Sequence, residues 1–170
     1  DNHFRPEFMQ ALQTICRDND ILFILDEVQS GLGITGKMWA HEHYDIQPDI
    51  ISFGKKMQVC GIFAGPRIDE VKDNVFKEAS RINSTWGGNL TDMVRATRYL
   101  EIIKEDDLVN HAAEMGEYII NELRQFEGAI SNIRGKGLMI AFDLESPEKR
   151  DAFKDALFEK GLIALPCGRK

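Results

Sequence analysis

The sequence predicts an α/β fold, and three patterns in its first half indicate it. Residues 21–25 form a continuous apolar run, which is typical of a strand covered on both faces in a parallel sheet. Residues 49–53 have the pattern of a second strand, and the connection before it is long enough for the crossover that parallel strands require. A helical pattern from Pro6 to about Asp18 precedes both strands.

The next elements follow from glycine, proline and apolar spacing. A short helix is expected over residues 37–44, between the two strands. Residues 62–64 lie too close to the second strand for a crossover, so their strand is expected to run antiparallel to it. Apolar residues then recur at helical spacing over residues 89–104 and 108–126, which predicts two consecutive helices.

The last part of the chain is predicted to be a separate α+β unit. Two strands joined by a glycine turn are expected over residues 130–144, followed by a helix over residues 147–160 and a final strand near residues 162–165. The chain has no initiator methionine, and both of its ends are expected to be cut from a longer protein. The expected organisation is the later part of a large domain over residues 1–88, connecting helices over residues 89–126, and the start of a small C-terminal domain over residues 127–170.

Composition argues against several classes of partner. The net charge of −7 comes from 28 acidic and 21 basic residues without a basic cluster, so no nucleic acid partner is expected. The apolar runs are too short to span a bilayer, so no membrane partner is expected either. The three cysteines are an odd number at wide spacings, which favours reduced thiols in the cytoplasm over a disulfide framework.

Two charged residues at the ends of neighbouring strands mark the expected site. Asp26 ends the first strand and Lys55 lies just past the second, so parallel pairing would bring both to the sheet edge where α/β proteins bind ligands. A simple ion pair would explain the same pattern equally well. Pyridoxal 5′-phosphate (PLP) chemistry requires both groups, because a lysine holds the cofactor and a carboxylate keeps its pyridine nitrogen protonated.

A series of motifs resembles the class III, or omega, aminotransferases. The motifs are Asp26-Glu27-Val28-Gln29-Ser30-Gly31, Gly33, Thr35-Gly36, Trp39-Ala40, Pro48-Asp49-Ile50 and Phe53-Gly54-Lys55-Lys56. Their order and spacing match without gaps, although Ser30 stands where threonine is common. The resemblance implies a fragment of the type I PLP-dependent transferase fold, with mainly parallel sheet from the large domain and the start of an α+β C-terminal small domain.

The resemblance also implies roles for the matching residues. Asp26 would pair with the pyridine nitrogen, Val28 would pack on the ring face, and Gln29 would approach the ring hydroxyl and the substrate. Lys55 would carry the cofactor and move the proton, because the family places this lysine directly after the small residue that ends the strand. Lys56 would then point away or help to hold an anion.

The segment Asn83-Ser84-Thr85-Trp86-Gly87-Gly88 resembles the part of the family that reaches across a homodimer with shared active sites. By that resemblance Thr85 would bind the cofactor phosphate of the other subunit and Asn83 would lie near the substrate. A hydroxyl beside unpaired backbone amides suits a dianion. Threonine before a helix is also a common N-cap, so both interpretations of Thr85 stay open.

Further stretches resemble those family members that act on the ε-amino group of L-lysine. These stretches are residues 4–8, 53–56 with 58–61, 69–71 with 73–76, and 83–96. The implied reaction moves that amine through PLP to 2-oxoglutarate, giving 2-aminoadipate 6-semialdehyde and glutamate. The alternatives are another omega aminotransferase, such as one acting on 4-aminobutyrate, and a noncatalytic PLP-binding or structural homologue. The family's phosphate cup, aromatic shelf and carboxylate-binding arginine lie outside these residues, so the fragment alone is expected to be inactive.

No metal site is predicted. His41 and His43 flank Glu42, but residues two positions apart do not share a helix face, and their spacing is not that of a zinc-binding helix. Gly135-Lys136-Gly137 is too short for a phosphate loop and is predicted to be a turn.

Overall fold

A computed structural model describes residues 3–82 and 85–168 of the chain. The helices and strands within these ranges are α1 Pro6–Asp18, β1 Ile24–Asp26, β2 Ile50–Phe53, β3 Gly61–Ala64, α2 Leu90–Glu105, α3 Leu108–Arg124, β4 Ser131–Lys136, β5 Met139–Asp143 and α4 Pro147–Glu159. Short 3-10 helices occupy Ala40–Tyr44, Lys55–Met57 and Pro66–Glu70. None of the helices in the described ranges has the length and apolarity required of a membrane span.

The first sheet has the strand order β1-β2-β3. β1 pairs parallel with β2, which places Asp26 opposite Ser52, and β3 pairs antiparallel with β2. Both predicted strand directions are therefore confirmed. The four longer helices are also confirmed, with ends that differ from the predicted ones by no more than two residues.

The helix α1 covers one face of this sheet. Met9, Phe23 and Ile46 form a buried cluster there, each less than 9% exposed. On the opposite face Ile24 is 57% exposed, so the expectation that β1 is covered on both faces is wrong for the described residues. The first strand is also shorter than residues 21–25, because the Ile21 N–H closes a turn onto the Cys16 carbonyl instead of entering the ladder.

A polar cluster anchors the strand pair at the end opposite the site. Asp49 Oδ2 accepts a hydrogen bond from the Phe23 N–H at 2.8 Å and another from Arg67 Nη1 at 2.9 Å. Arg67 also donates to Asp20 Oδ1 at 3.2 Å and to the Ile21 carbonyl at 3.3 Å. The Asp49 carboxylate is only 11% exposed, so these bonds are largely shielded from water. They join the residues before β1 and β2 to the segment after β3.

The second sheet is a hairpin of β4 and β5 that packs on α3. Its turn lies between α3 and the loop that follows β1, because the Leu138 N–H donates to the Ile34 carbonyl at 2.8 Å. This junction requires glycine: a Cβ on Gly116 would lie 2.2 Å from the Gly137 carbonyl oxygen, and a Cβ on Gly137 would lie 2.4 Å from the Thr35 carbonyl carbon. The backbones therefore touch where the two sheets meet.

Three details of the fold differ from the prediction. Gly135 lies inside β4, paired with Ile140, so the turn is confined to residues 137–138. The predicted helix over residues 37–44 is a 3-10 helix that starts at Ala40. Residues 162–165 form no strand, and Ile163 is 79% exposed, because the described part of the chain offers them no strand to pair with.

We expect Gly137→Ala to destabilise the whole protein by about 3 kcal/mol, because the methyl group would collide with backbone atoms that have no room to move. Gly161→Ala is the matched control, since Gly161 also has a positive φ of 83° but nothing within 4 Å of an added Cβ. That change should cost about 1 kcal/mol, from backbone strain alone. Urea denaturation of both variants measures the difference, and equal losses would contradict a tight junction at Gly137.

Candidate active site

Two turns meet at the carboxyl edge of the parallel strand pair. The turn after β1 begins with Glu27, whose N–H extends the ladder to the Ser52 carbonyl at 3.0 Å. The turn after β2 is the 3-10 helix that starts at Lys55. Asp26 and Lys55 therefore lie at the same edge, as the sequence predicts. Within the described ranges no salt bridge joins Asp26 and Lys55, so the simple ion-pair interpretation is wrong.

Asp26 is an exposed carboxylate that is held in its ionised form. Its Oδ1 accepts the Val28 N–H at 3.0 Å and the Ser52 hydroxyl at 2.9 Å. The Val28 N–H and then the Ser52 hydroxyl lower the pKa of Asp26, and the nearby charge of Lys55 adds to the effect. In residues 3–82 and 85–168 nothing donates a hydrogen bond to Oδ2. One oxygen of an ionised carboxylate is thus available to a cationic N–H group.

The two adjacent lysines have different environments. Lys55 is exposed and has a φ of 41°, in the left-handed region. Lys56 is partly buried, and its ammonium donates to the Gln29 carbonyl in the turn after β1. Burial, and then the charge of Lys55, lowers the pKa of Lys56. The Lys56 side chain therefore joins the two turns.

Val28 lies beside the residue that precedes Lys55. A Cβ on Gly54 would lie 3.6 Å from Val28 Cγ1 and 3.0 Å from Cys60 Sγ, so Val28 and Cys60 both lie against this glycine. The Gln29 side chain is exposed at the same edge. The structure therefore brings together Asp26, Val28, Gln29 and Lys55.

Glu27 is a buried structural residue of the turn after β1. It is 3% exposed and accepts the Ala40 N–H at 2.6 Å, the His41 N–H at 2.9 Å and a contact from His41 Nδ1 at 2.8 Å. Burial acts to raise the pKa of Glu27, but the hydrogen bonds from His41 and Ala40 outweigh it and hold the pKa below its usual range. Alternation along the strand could have indicated this role, since adjacent residues point to opposite faces.

The two histidines of the 3-10 helix serve the local structure. His41 pairs with Glu27, and His43 Nε2 lies 3.0 Å from the carbonyl oxygen of Thr35, which is 4% exposed. The part of the chain that the structure describes contains no cluster of His, Cys, Asp and Glu able to hold a metal ion.

Thr85 lies in an exposed turn before α2. The N-cap of α2 is Asn89, whose side chain accepts the Thr91 N–H at 3.0 Å. The N-cap interpretation of Thr85 is therefore wrong. Asn83, the second residue expected in this segment, lies outside the described residues.

A cavity of about 300 Å³ lies near the turn after β1. Asp26, Glu27, Tyr44 and Lys136 contribute to its lining, whereas Lys55 and Gln29 do not. We place the candidate site at the open edge beside Lys55, because that edge holds the exposed lysine together with the available carboxylate oxygen.

Comparisons with known proteins give a consistent result. The family model for class-III aminotransferases matches residues 1–170. The L-lysine-epsilon aminotransferase of Amycolatopsis lactamdurans is 50% identical over 175 residues, which cover 100% of this chain and 39% of that protein. The 4-aminobutyrate aminotransferase of Schizosaccharomyces pombe is 37% identical over 177 residues, which cover 99% of this chain and 36% of that protein.

The structural comparison agrees. A solved structure of the lysine aminotransferase from M. tuberculosis in the internal aldimine form has a TM-score of 0.93 and 50% sequence identity. The match covers 99% of this chain and 40% of that one. The chain thus spans about two fifths of the length of these relatives.

We expect Glu27→Gln to destabilise the whole protein by about 2 kcal/mol at pH 7, because an amide cannot accept all the bonds that the buried carboxylate accepts. The loss should shrink in acid. Since the folded pKa of Glu27 lies below its unfolded value, its contribution is present above the unfolded pKa and disappears as the pH falls through the folded pKa.

Denaturation at pH 7 and at about pH 3.5 measures this dependence. Glu42→Gln is the control, since Glu42 is an exposed carboxylate of the same 3-10 helix that accepts one N–H, from Trp39 at 2.7 Å. Its loss should be about 0.5 kcal/mol. A difference between wild type and Glu27→Gln that stays constant across this pH range would contradict the assignment.

Proposed function

We infer the function from one premise: this chain belongs to the class-III aminotransferase family. We propose that the protein containing it is a PLP-dependent aminotransferase that moves the ε-amino group of L-lysine to 2-oxoglutarate. The products would be 2-aminoadipate 6-semialdehyde and glutamate. The observation that carries the choice of donor is the 50% identity to L-lysine-epsilon aminotransferases, against 37% to a 4-aminobutyrate aminotransferase.

The fold supports this proposal. The expectation of a type I PLP-dependent transferase fold is confirmed by the TM-score of 0.93 to the lysine aminotransferase structure. We propose that residues 1–88 belong to the large domain and that residues 127–170 begin the small domain. Residues 89–126 would form the helices that connect the two domains. The separate sheets β1-β2-β3 and β4-β5 support that division.

The carboxyl edge fits the cofactor. When bound, PLP supplies a protonated ring that accepts the electrons of the bond broken at the substrate carbon. We propose that Asp26 holds the pyridine N–H through Oδ2, which has no donor within the described residues while Oδ1 is occupied by Val28 and Ser52. The lowered pKa of Asp26 keeps it ionised for that bond.

Lys55 is the proposed catalytic residue. Its exposed amine would hold the cofactor covalently and, once displaced by substrate, would move a proton to and from the substrate carbon through Nζ. Lys56 is less suited to this role, because its ammonium is bound to the Gln29 carbonyl. Val28, beside Gly54, would cover the face of the ring, and the Gln29 side chain would lie near the ring hydroxyl and the substrate.

The remaining assignments concern assembly and location. We propose a homodimer with shared active sites, in which Thr85 binds the cofactor phosphate of the other subunit and Asn83 lies near the substrate. The exposed apolar side chains of Trp86, Leu90 and Val94, each more than 70% exposed, support an interface beside Thr85. Three unpaired cysteines support a cytoplasmic location.

We expect Lys55→Ala to abolish covalent attachment of PLP in the whole protein and to lower kcat by about 10²- to 10⁴-fold, because both attachment and proton transfer depend on this amine. Borohydride reduction followed by peptide mass spectrometry locates the attached cofactor. Lys56→Ala is the matched control and should keep the label on Lys55. Label on the chain of Lys55→Ala would reject the assignment.

We expect L-lysine to be the preferred donor by about 10-fold or more in kcat/KM over both 4-aminobutyrate and ornithine. A pocket built to pair the α-amino group leaves its own polar groups unpaired when 4-aminobutyrate binds, and ornithine places its amine one methylene too near. The three donors are compared in the whole protein with 2-oxoglutarate as acceptor. A preference for 4-aminobutyrate would overturn the donor and leave the aminotransferase class intact.

A further inference from the structure

We propose that Gln58 is a positioning residue that fixes the backbone of Lys55, and that Arg95 holds Gln58 in the required orientation. The proposal rests on the proposed role of Lys55 as the lysine that binds PLP. It assigns Gln58, in the turn after β2, a specific function that the family match does not assign.

Lys55 has a backbone conformation that needs support. Its φ of 41° lies in the left-handed region, which residues with a Cβ rarely adopt. Such conformations persist where the surrounding structure holds them in place, and they cluster at active sites. The Lys55 side chain leaves the backbone inside this turn, so contacts that close the turn around Lys55 also limit the directions that its side chain can take.

Gln58 makes two hydrogen bonds to one acceptor. The carbonyl oxygen of Lys55 accepts the Gln58 N–H at 2.9 Å and the Gln58 side-chain amide at 3.1 Å. Gln58 itself has a φ of 61° and ends the short 3-10 helix. Both bonds act on the peptide group that follows Lys55, so together they oppose its rotation.

Arg95 determines which way the Gln58 amide faces. Its Nη1 donates to Gln58 Oε1 at 3.4 Å and pairs with Asp92 at 3.2 Å. Because a guanidinium group is a donor only, it binds the amide oxygen and leaves the amide nitrogen directed at the Lys55 carbonyl. The helix α2 is held against the turn by the buried pair Met57 and Ala96, which keeps Arg95 within reach.

This arrangement distinguishes positioning from substrate selection. Residues near Gln58 resemble the lysine-specific members of the family, which could indicate a role in choosing the donor. The Gln58 side chain instead bonds to the backbone of Lys55 and to Arg95. Changing Gln58 should therefore alter the rate at which Lys55 reacts and leave the ratio of donors unchanged.

The test uses the whole protein freed of cofactor and then mixed with PLP. Attachment at Lys55 is followed by quenching with borohydride at timed intervals and by peptide mass spectrometry. Gln58→Met removes the side-chain donor without adding charge, and we expect attachment and kcat to fall about tenfold. The KM for L-lysine and the preference for L-lysine over 4-aminobutyrate should stay within about twofold.

Two further variants keep the test independent of one substitution. Arg95→Met should slow attachment through loss of the amide orientation, and the double variant should be no slower than Gln58→Met, because the two residues act on one carbonyl. Gln125→Met is the control, since Gln125 is an exposed glutamine at the end of α3, and it should react as the wild type does.

The possible results separate the two proposals. Wild-type attachment rates in folded Gln58→Met and Arg95→Met, or a changed donor preference with an unchanged rate, would overturn the positioning role. Attachment to a lysine other than Lys55 in the wild-type protein would instead overturn the proposed function on which it rests. If Gln58→Met does not fold, Arg95→Met decides the question alone, and slower attachment at Lys55 supports the role.

Discussion

The register of β1 against β2 determines the geometry of the candidate site. Asp26 lies opposite Ser52, so the serine hydroxyl reaches the aspartate and the Glu27 N–H continues the ladder to the Ser52 carbonyl. A slip of one residue would exchange the faces of every side chain in the strand. Asp26 would then enter the α1 side and Glu27 would stand at the open edge. The bond between the Asp49 carboxylate and the Phe23 N–H opposes that slip at the other end of the strands.

The adjacent carboxylates of Asp26 and Glu27, at the end of β1, have different environments and different roles. Asp26 is exposed, and one of its oxygens has no hydrogen-bond donor in the described residues. Hydrogen bonds from Val28 and Ser52 to the other oxygen lower its pKa and keep it ionised. Glu27 is buried, and its bonds to Ala40 and His41 hold the 3-10 helix against the end of β1. Asp26 and Glu27 are adjacent in the chain, so the bonds that fix Glu27 also help to fix the backbone from which the Asp26 side chain extends.

Sequence patterns predicted those parts of the fold that depend on interactions between residues near each other in the chain. Proline at the start of α1 and α4, glycine after α4 and apolar spacing located the helices, and connection length gave the strand directions. The final strand was predicted from composition alone, but a strand exists only where another backbone pairs with it. The bond from Lys56 to Gln29 and the network of Asp49 with Arg67 join residues far apart in sequence, so no local pattern could reveal them.

The proposed choice of Lys55 over Lys56 shows why a lowered pKa is an incomplete guide to a catalytic lysine. Functional sites often contain perturbed groups, and by that criterion the lowered pKa of Lys56 would select it. The burial that lowers this pKa also brings the ammonium to the Gln29 carbonyl, where it serves as a tie between the turns. A catalytic amine must reach both cofactor and substrate. The bond to the Gln29 carbonyl ties Lys56 to the protein, so of the two lysines only Lys55 is exposed for reaction.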